Sequence, residues 1–147
     1  IWCRLVHEIV EKGLRFLESC LGLFRSCLKR SEESPGVAGL GLLKGEILRI
    51  PDKEGLKIPH MGWNSIHLQN GGRLFKGIPQ ESYVYFVHSY YLKAEEEEIV
   101  KATTEYSTHI HASVEKENLF ACQFHPEKSS DLGLAILKNF AEIGEED

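Results

Sequence analysis

His125 and Glu127 stand two residues apart on either side of Pro126, at the end of the apolar run Leu119-Phe120-Ala121-Cys122-Gln123-Phe124. The run reads as a buried strand, and the proline stops it. Imidazole is the side chain whose proton moves most readily near neutral pH. A carboxylate beside it can hold the ring in one orientation while it acts as a general base. The same pair also fits a surface turn with an isolated ion pair, and a nucleophile is what separates the two possibilities. Cys20 is the candidate. It lies between a short apolar run at residues 14–19 and a helical pattern ending near Arg30. A strand–turn–helix context is where an elbow presents a nucleophile. Unpaired N–H groups at a helix start stabilise the thiolate there. A cysteine taken alone is more simply a small buried apolar residue. Here, however, Cys, His and Glu all fall at ends of predicted strands.

The elements that must position these residues follow the hydrophobic pattern. Residues 2–12 carry a helical stripe, with Gly13 as its stop. Residues 31–41 form a loop rich in Ser, Pro and Gly. From Leu42 onward the pattern turns to short strands, at residues 43–50, 62–68, 82–92, 99–105 and 109–115. The strongest of these is 82–92, where aromatics alternate around Val84 and Val87. Residues 129–143 predict a closing amphipathic helix, with Leu132, Ala135, Ile136, Asn139 and Phe140 on one face and Ser129 or Ser130 as cap.

With 147 residues the chain is long enough for one domain with a sizeable core. A net charge of -5 without a basic cluster argues against nucleic-acid binding. The run Glu95-Glu96-Glu97-Glu98 predicts a solvated loop. No stretch is apolar enough to span a bilayer, and the first residues lack the pattern of a signal peptide. Cys3, Cys20, Cys27 and Cys122 have neither zinc spacing nor the density of a disulfide scaffold, so reduced thiols in a cytoplasm are expected. Ile1 is not a usual start residue, and the chain is expected to be a fragment.

Five segments carry a resemblance. They are Cys20-Leu21-Gly22, Pro59-His60-Met61-Gly62-Trp63-Asn64, Tyr85-Phe86-Val87-His88-Ser89-Tyr90, Thr103-Thr104-Glu105-Tyr106 and Gln123-Phe124-His125-Pro126-Glu127-Lys128-Ser129. Together they resemble class I glutamine amidotransferases. More narrowly they resemble the glutaminase subunit of imidazole glycerol phosphate synthase, of histidine biosynthesis. The resemblance implies that Cys20 attacks the side-chain amide of glutamine, His125 relays the proton to ammonia and Glu127 orients the ring. It implies that the Leu21 N–H, Glu33, Ser89 and Tyr90 hold glutamine. It places His60, Met61, Trp63, Asn64, Tyr85 and Lys128 against a (β/α)₈-barrel cyclase, which receives the ammonia. For Trp63 and Tyr85, plain core packing is the alternative. No cofactor or metal is implied.

The implied fold is α/β and flavodoxin-like: a mostly parallel sheet with flanking helices and an antiparallel region between Leu43 and Glu115. The family's first strands, and a Gly-rich loop that supplies an oxyanion N–H, have no counterpart in this chain. One sheet edge is therefore expected to be open. The elbow pattern Gly-x-Cys-x-Gly has Glu18 at its first Gly, where a tight turn needs a small residue and a carboxylate opposes a thiolate. Phe24 replaces a family Gln. These departures leave two alternatives: a remnant that folds or docks without catalysis, and an amidotransferase of another pathway. The Pro-His-Met-Gly-Trp-Asn segment favours the histidine pathway over the second of them.

Overall fold

The computed structural model describes residues 16–19, 28, 30–32 and 41–143, with residues 16–19 and 30 described by backbone alone. The helix predicted at residues 2–12 lies outside the described residues, as do Cys20, Leu21, Glu33 and most of the helical pattern leading to Arg30.

Nine strands and one helix make up the described fold: β1 (Phe16–Ser19), β2 (Arg30–Ser31), β3 (Gly45–Arg49), β4 (His60–Leu68), β5 (Ser82–His88), β6 (Tyr90–Ala94), β7 (Val100–Tyr106), β8 (Thr108–Lys116), β9 (Leu119–Cys122) and helix α1 (Ser130–Glu142). The main sheet runs β2-β3-β6-β8-β7-β4-β5, and β9 lies beside β8 with β1 beyond it.

Among the described residues the sheet is mostly antiparallel, as expected between Leu43 and Glu115, and the mostly parallel part of the expectation is not seen there. Only β1–β9 and β2–β3 are parallel among the described pairings. The pairs β3–β6, β4–β5, β4–β7, β6–β8, β7–β8 and β8–β9 are antiparallel. Connection length explains two of these pairs, β7–β8 and β8–β9. A single residue, Ser107, joins β7 to β8, and Glu117-Asn118 joins β8 to β9. Links that short can only return the chain antiparallel, whereas a parallel neighbour needs a crossover of about a dozen residues or more.

The predicted strand at 82–92 is two strands, broken at Ser89. Its aromatic alternation runs through the break, so the pattern does not reveal it. The acidic run is also more ordered than expected. Glu97–Ile99 form a 3₁₀ turn, and Glu96 accepts a 2.8 Å bond from Lys116 Nζ and lies 3.7 Å from Lys44 Nζ.

β9 is apolar throughout because both its faces are covered. Leu119 and Ala121 join Ile47, Leu92 and Val114 on one side. Phe120 and Cys122 join Phe86, Ala112, Phe124 and Ile136 of α1 on the other. Asn139 of α1 donates to the Leu74 and Lys76 carbonyls, 2.8 Å each, and ties the helix to the 3₁₀ turn Arg73–Phe75. No helix among the described residues is long and apolar enough to cross a membrane.

Candidate active site

The histidine end of the site is built at the seam between β5, β9 and α1. β9 stops at Cys122, but the chain stays anchored beyond it. Gln123 N–H donates to the Ala112 carbonyl at 2.8 Å, and His125 N–H to the Tyr85 carbonyl at 2.9 Å. Pro126 then opens a 3₁₀ turn over Pro126–Lys128, where its fixed φ suits the first position and its missing N–H costs nothing. Ser129, fully buried, closes the turn. Its hydroxyl donates to the His125 carbonyl at 2.6 Å and accepts the Tyr85 N–H at 3.0 Å. The predicted cap residue thus sits at the N-cap of α1 without making a capping bond; it stitches β5 to the histidine instead.

His125 Nδ1 lies 2.8 Å from Glu127 Oε1. A carboxylate oxygen accepts, so Nδ1 carries the proton and Nε2 is left as the basic nitrogen. The ring is largely covered, with 14% of its side chain exposed against 51% for Glu127. This is the orientation a general base needs, with one nitrogen committed to an acid and the other left to accept a proton.

The cysteine end is approached by backbone. β1 lies parallel to β9 with Phe16 opposite Leu119 and Ser19 opposite Cys122. Glu18, the residue expected to oppose a tight elbow, falls opposite Ala121. The residue before Cys20 and the residue three before His125 are therefore strand neighbours. Cys122, the free cysteine among the described residues, is buried, and burial pushes its thiol up to about 12. That makes it a core residue rather than a nucleophile.

The other predicted residues separate into two groups. Met61 and Trp63 stand exposed on β4, at 62% and 52%. Tyr85 packs edge-on to Trp63 with ring centroids 5.9 Å apart, and Lys128 is exposed. His60 and Asn64 alternate to the other side. His60 is 3% exposed, its ring packed against Phe86 and Tyr106. Asn64 uses both its amide atoms internally, on the Glu105 carbonyl and the Ser65 N–H. Ser89 accepts from Ile50 N–H at 2.9 Å, and the Tyr90 carbonyl meets His88 Nδ1 at 2.9 Å.

Comparison with known proteins gives the family. The family description "Glutamine amidotransferase class-I" matches residues 7–143. The imidazole glycerol phosphate synthase subunit HisH of Methanocaldococcus jannaschii is 44% identical over 138 residues, covering 94% of this chain and 68% of that protein. This chain belongs to the class-I glutamine amidotransferase family, as a HisH-type member. The HisH subunit of Moorella thermoacetica is 50% identical over 138 residues, and the chain spans 64% of its length. The HisH subunit of Bacillus subtilis is 42% identical over 147 residues, of which the chain spans 68%. Among solved structures, a glutamine amidotransferase of Thermotoga maritima superposes with a TM-score of 0.63 at 18% identity, covering 98% of this chain and 54% of that one. At such identity it speaks for the fold alone.

In this HisH-type chain three positioning features escaped the sequence. Ser129 read as a helix cap. His88 sat inside an aromatic strand and gave no sign of a partner. Gln123 is fully buried, and neither its Nε2 nor its Oε1 has a partner among the described residues. Nothing in the sequence marked them.

Proposed function

We propose that this chain carries the glutaminase site of an imidazole glycerol phosphate synthase of histidine biosynthesis. The observation that carries this is the pairing of β1 with β9, which runs the strand before Cys20 alongside the strand before His125. Active sites of α/β sheets gather at such carboxyl ends. The doubly wound, flavodoxin-like arrangement belongs to this proposal, with β1 and β9 as the described part of its parallel core.

The chemistry follows from the residues. His125 Nε2 takes the Cys20 proton while Glu127 holds Nδ1–H. The thiolate adds to the glutamine side-chain amide carbon, and the Leu21 N–H faces the oxyanion. The tetrahedral adduct collapses with His125 returning the proton to the leaving ammonia, and a thioester remains. Water, deprotonated by the same imidazole, releases glutamate and restores the thiol. Glu33 and the Ser89–Tyr90 backbone hold the substrate. His60, Met61, Trp63, Asn64, Tyr85 and Lys128 belong to the segments that face a barrel-shaped cyclase, which takes the ammonia.

Labelling tests the assignment. A glutamine-like chloroketone or diazoketone is expected to modify Cys20, and peptide mapping should find Cys122 untouched because its thiol is buried and raised. Cys20→Ala should abolish glutamate release measured in the presence of the cyclase. Modification of Cys27 or Cys122 in preference to Cys20, or retained activity in the alanine variant, would overturn the triad.

A further inference from the structure

His60 and His88 face each other across β4 and β5, registered as direct partners. Both are 3% exposed. His60 Nδ1 lies 2.9 Å from His88 Nε2, and His88 Nδ1 lies 2.9 Å from the Tyr90 carbonyl oxygen. A carbonyl only accepts, so His88 carries its proton on Nδ1 and its Nε2 is an acceptor. His60 must therefore donate from Nδ1. The His60 ring is held flat between Tyr106, with centroids 3.8 Å apart and planes at 13°, and Phe86, at 4.9 Å and 19°. Tyr106 is fixed in turn by its hydroxyl on the Lys57 carbonyl.

We propose that His60 and His88 are a positioning pair, a relay of two neutral imidazoles that fixes the Tyr90 carbonyl and links the Met61 end of β4 to the Ser89–Tyr90 segment. The proposal rests on the glutaminase reading for the role of that segment. Its geometry is independent of it. Ser89 breaks the strand between β5 and β6, and a break needs bonds from outside to hold its shape. Two are present: Ile50 N–H on the Ser89 carbonyl and the His88 ring on the Tyr90 carbonyl. His60 locks the tautomer of His88, so that the donor always points at Tyr90. Its neighbour Met61 points the other way, onto the exposed face. Burial keeps both rings uncharged at neutral pH, aided at His60 by His88 and at His88 by His125, so that both are held down to about 4. Facing them are His125, whose charge opposes that of His88, and the aromatic rings of Phe86 and Tyr106.

Two variants and two readouts test this on the full chain bound to its cyclase. His60→Phe keeps the stacked ring and removes the donor. His60→Asn keeps an N–H donor near the Nδ1 position. Losing one buried hydrogen bond is expected to raise KM for glutamine by about tenfold in the Phe variant, with kcat within about threefold, and the Asn variant should recover most of it. Hydrogen exchange should quicken in the peptide spanning residues 88–92 of the Phe variant and not elsewhere in the sheet. A fall in kcat at unchanged KM with faster exchange throughout would reduce the pair to a packing role, and wild-type behaviour in both readouts would remove even that. If the parent chain releases no glutamate with a cyclase, the glutaminase reading fails by itself. The relay is then still decided by local exchange and by ¹⁵N signals of the rings at neutral pH. Those should show Nδ1–H on both rings, and a charged or Nε2–H ring overturns it.

Discussion

Protons distinguish the histidines of this chain. His60 and His88 titrate near 4 in the folded state, chiefly because burial disfavours the charged ring. In an unfolded chain both titrate near the ordinary value of about 6.5. Between those limits the unfolded state binds more protons, so stability is complete above about pH 6.5 and is lost as the pH falls toward 4. The expected outcome is a urea midpoint that drops between pH 6.5 and 4.5, with a shallower drop in His60→Phe. A midpoint independent of pH across that window would show that the rings are not held neutral. The sequence made His125 and Glu127 legible because a proline ended an apolar run between them. It hid His60, whose neighbours Pro59 and Met61 are exposed and whose burial depends on ring partners 26 and 46 residues away, Phe86 and Tyr106.

At the scale of elements, alternation and apolar runs located β3, β4, β7, β8, β9 and α1 to within a few residues. Hydrophobic period reports burial of one face, as in α1, and a continuous apolar run reports burial of both, as in β9. The break at Ser89 was not legible because both flanking strands bury aromatic and aliphatic residues, Val84 and Phe86 before it and Tyr91 and Leu92 after it. The packing of α1 on the turn before it was not legible either, and it rests on one glycine. A Cβ on Gly133 would stand 1.8 Å from the Pro126 carbonyl oxygen and 2.9 Å from Ser129 Cβ. Gly133→Ala is therefore expected to push the Pro126–Lys128 turn away from α1, lowering stability by about 1–3 kcal/mol and loosening the His125–Glu127 geometry. Denaturant melts and the rate of Cys20 labelling measure the two effects. An alanine variant as stable as the parent would show that the helix can shift without cost.

For the whole molecule, β1 pairs with β9 alone among the described residues, which leaves its other edge without a described partner. A strand edge that nothing covers invites another chain. The isolated chain is expected to elute as oligomers or to precipitate at micromolar concentration, and a monodisperse monomer in size-exclusion chromatography would contradict that. The antiparallel region was legible at this scale, and the mostly parallel sheet was not seen because the family resemblance spoke of a whole domain while the described strands are mostly those of the antiparallel region. The same contrast in connectivity sets an order in time. The pairs β7–β8 and β8–β9 close over links of one and two residues, but Phe16 meets its partner at Leu119. Loop closure over such a span costs more entropy and comes late. During synthesis the antiparallel layer can form while the segment that leads to Cys20 still waits for a strand not yet made. β1 is translated long before β9 and docks only after it, so the strand that leads to Cys20 reaches the strand that leads to His125 once the antiparallel layer between them has already emerged.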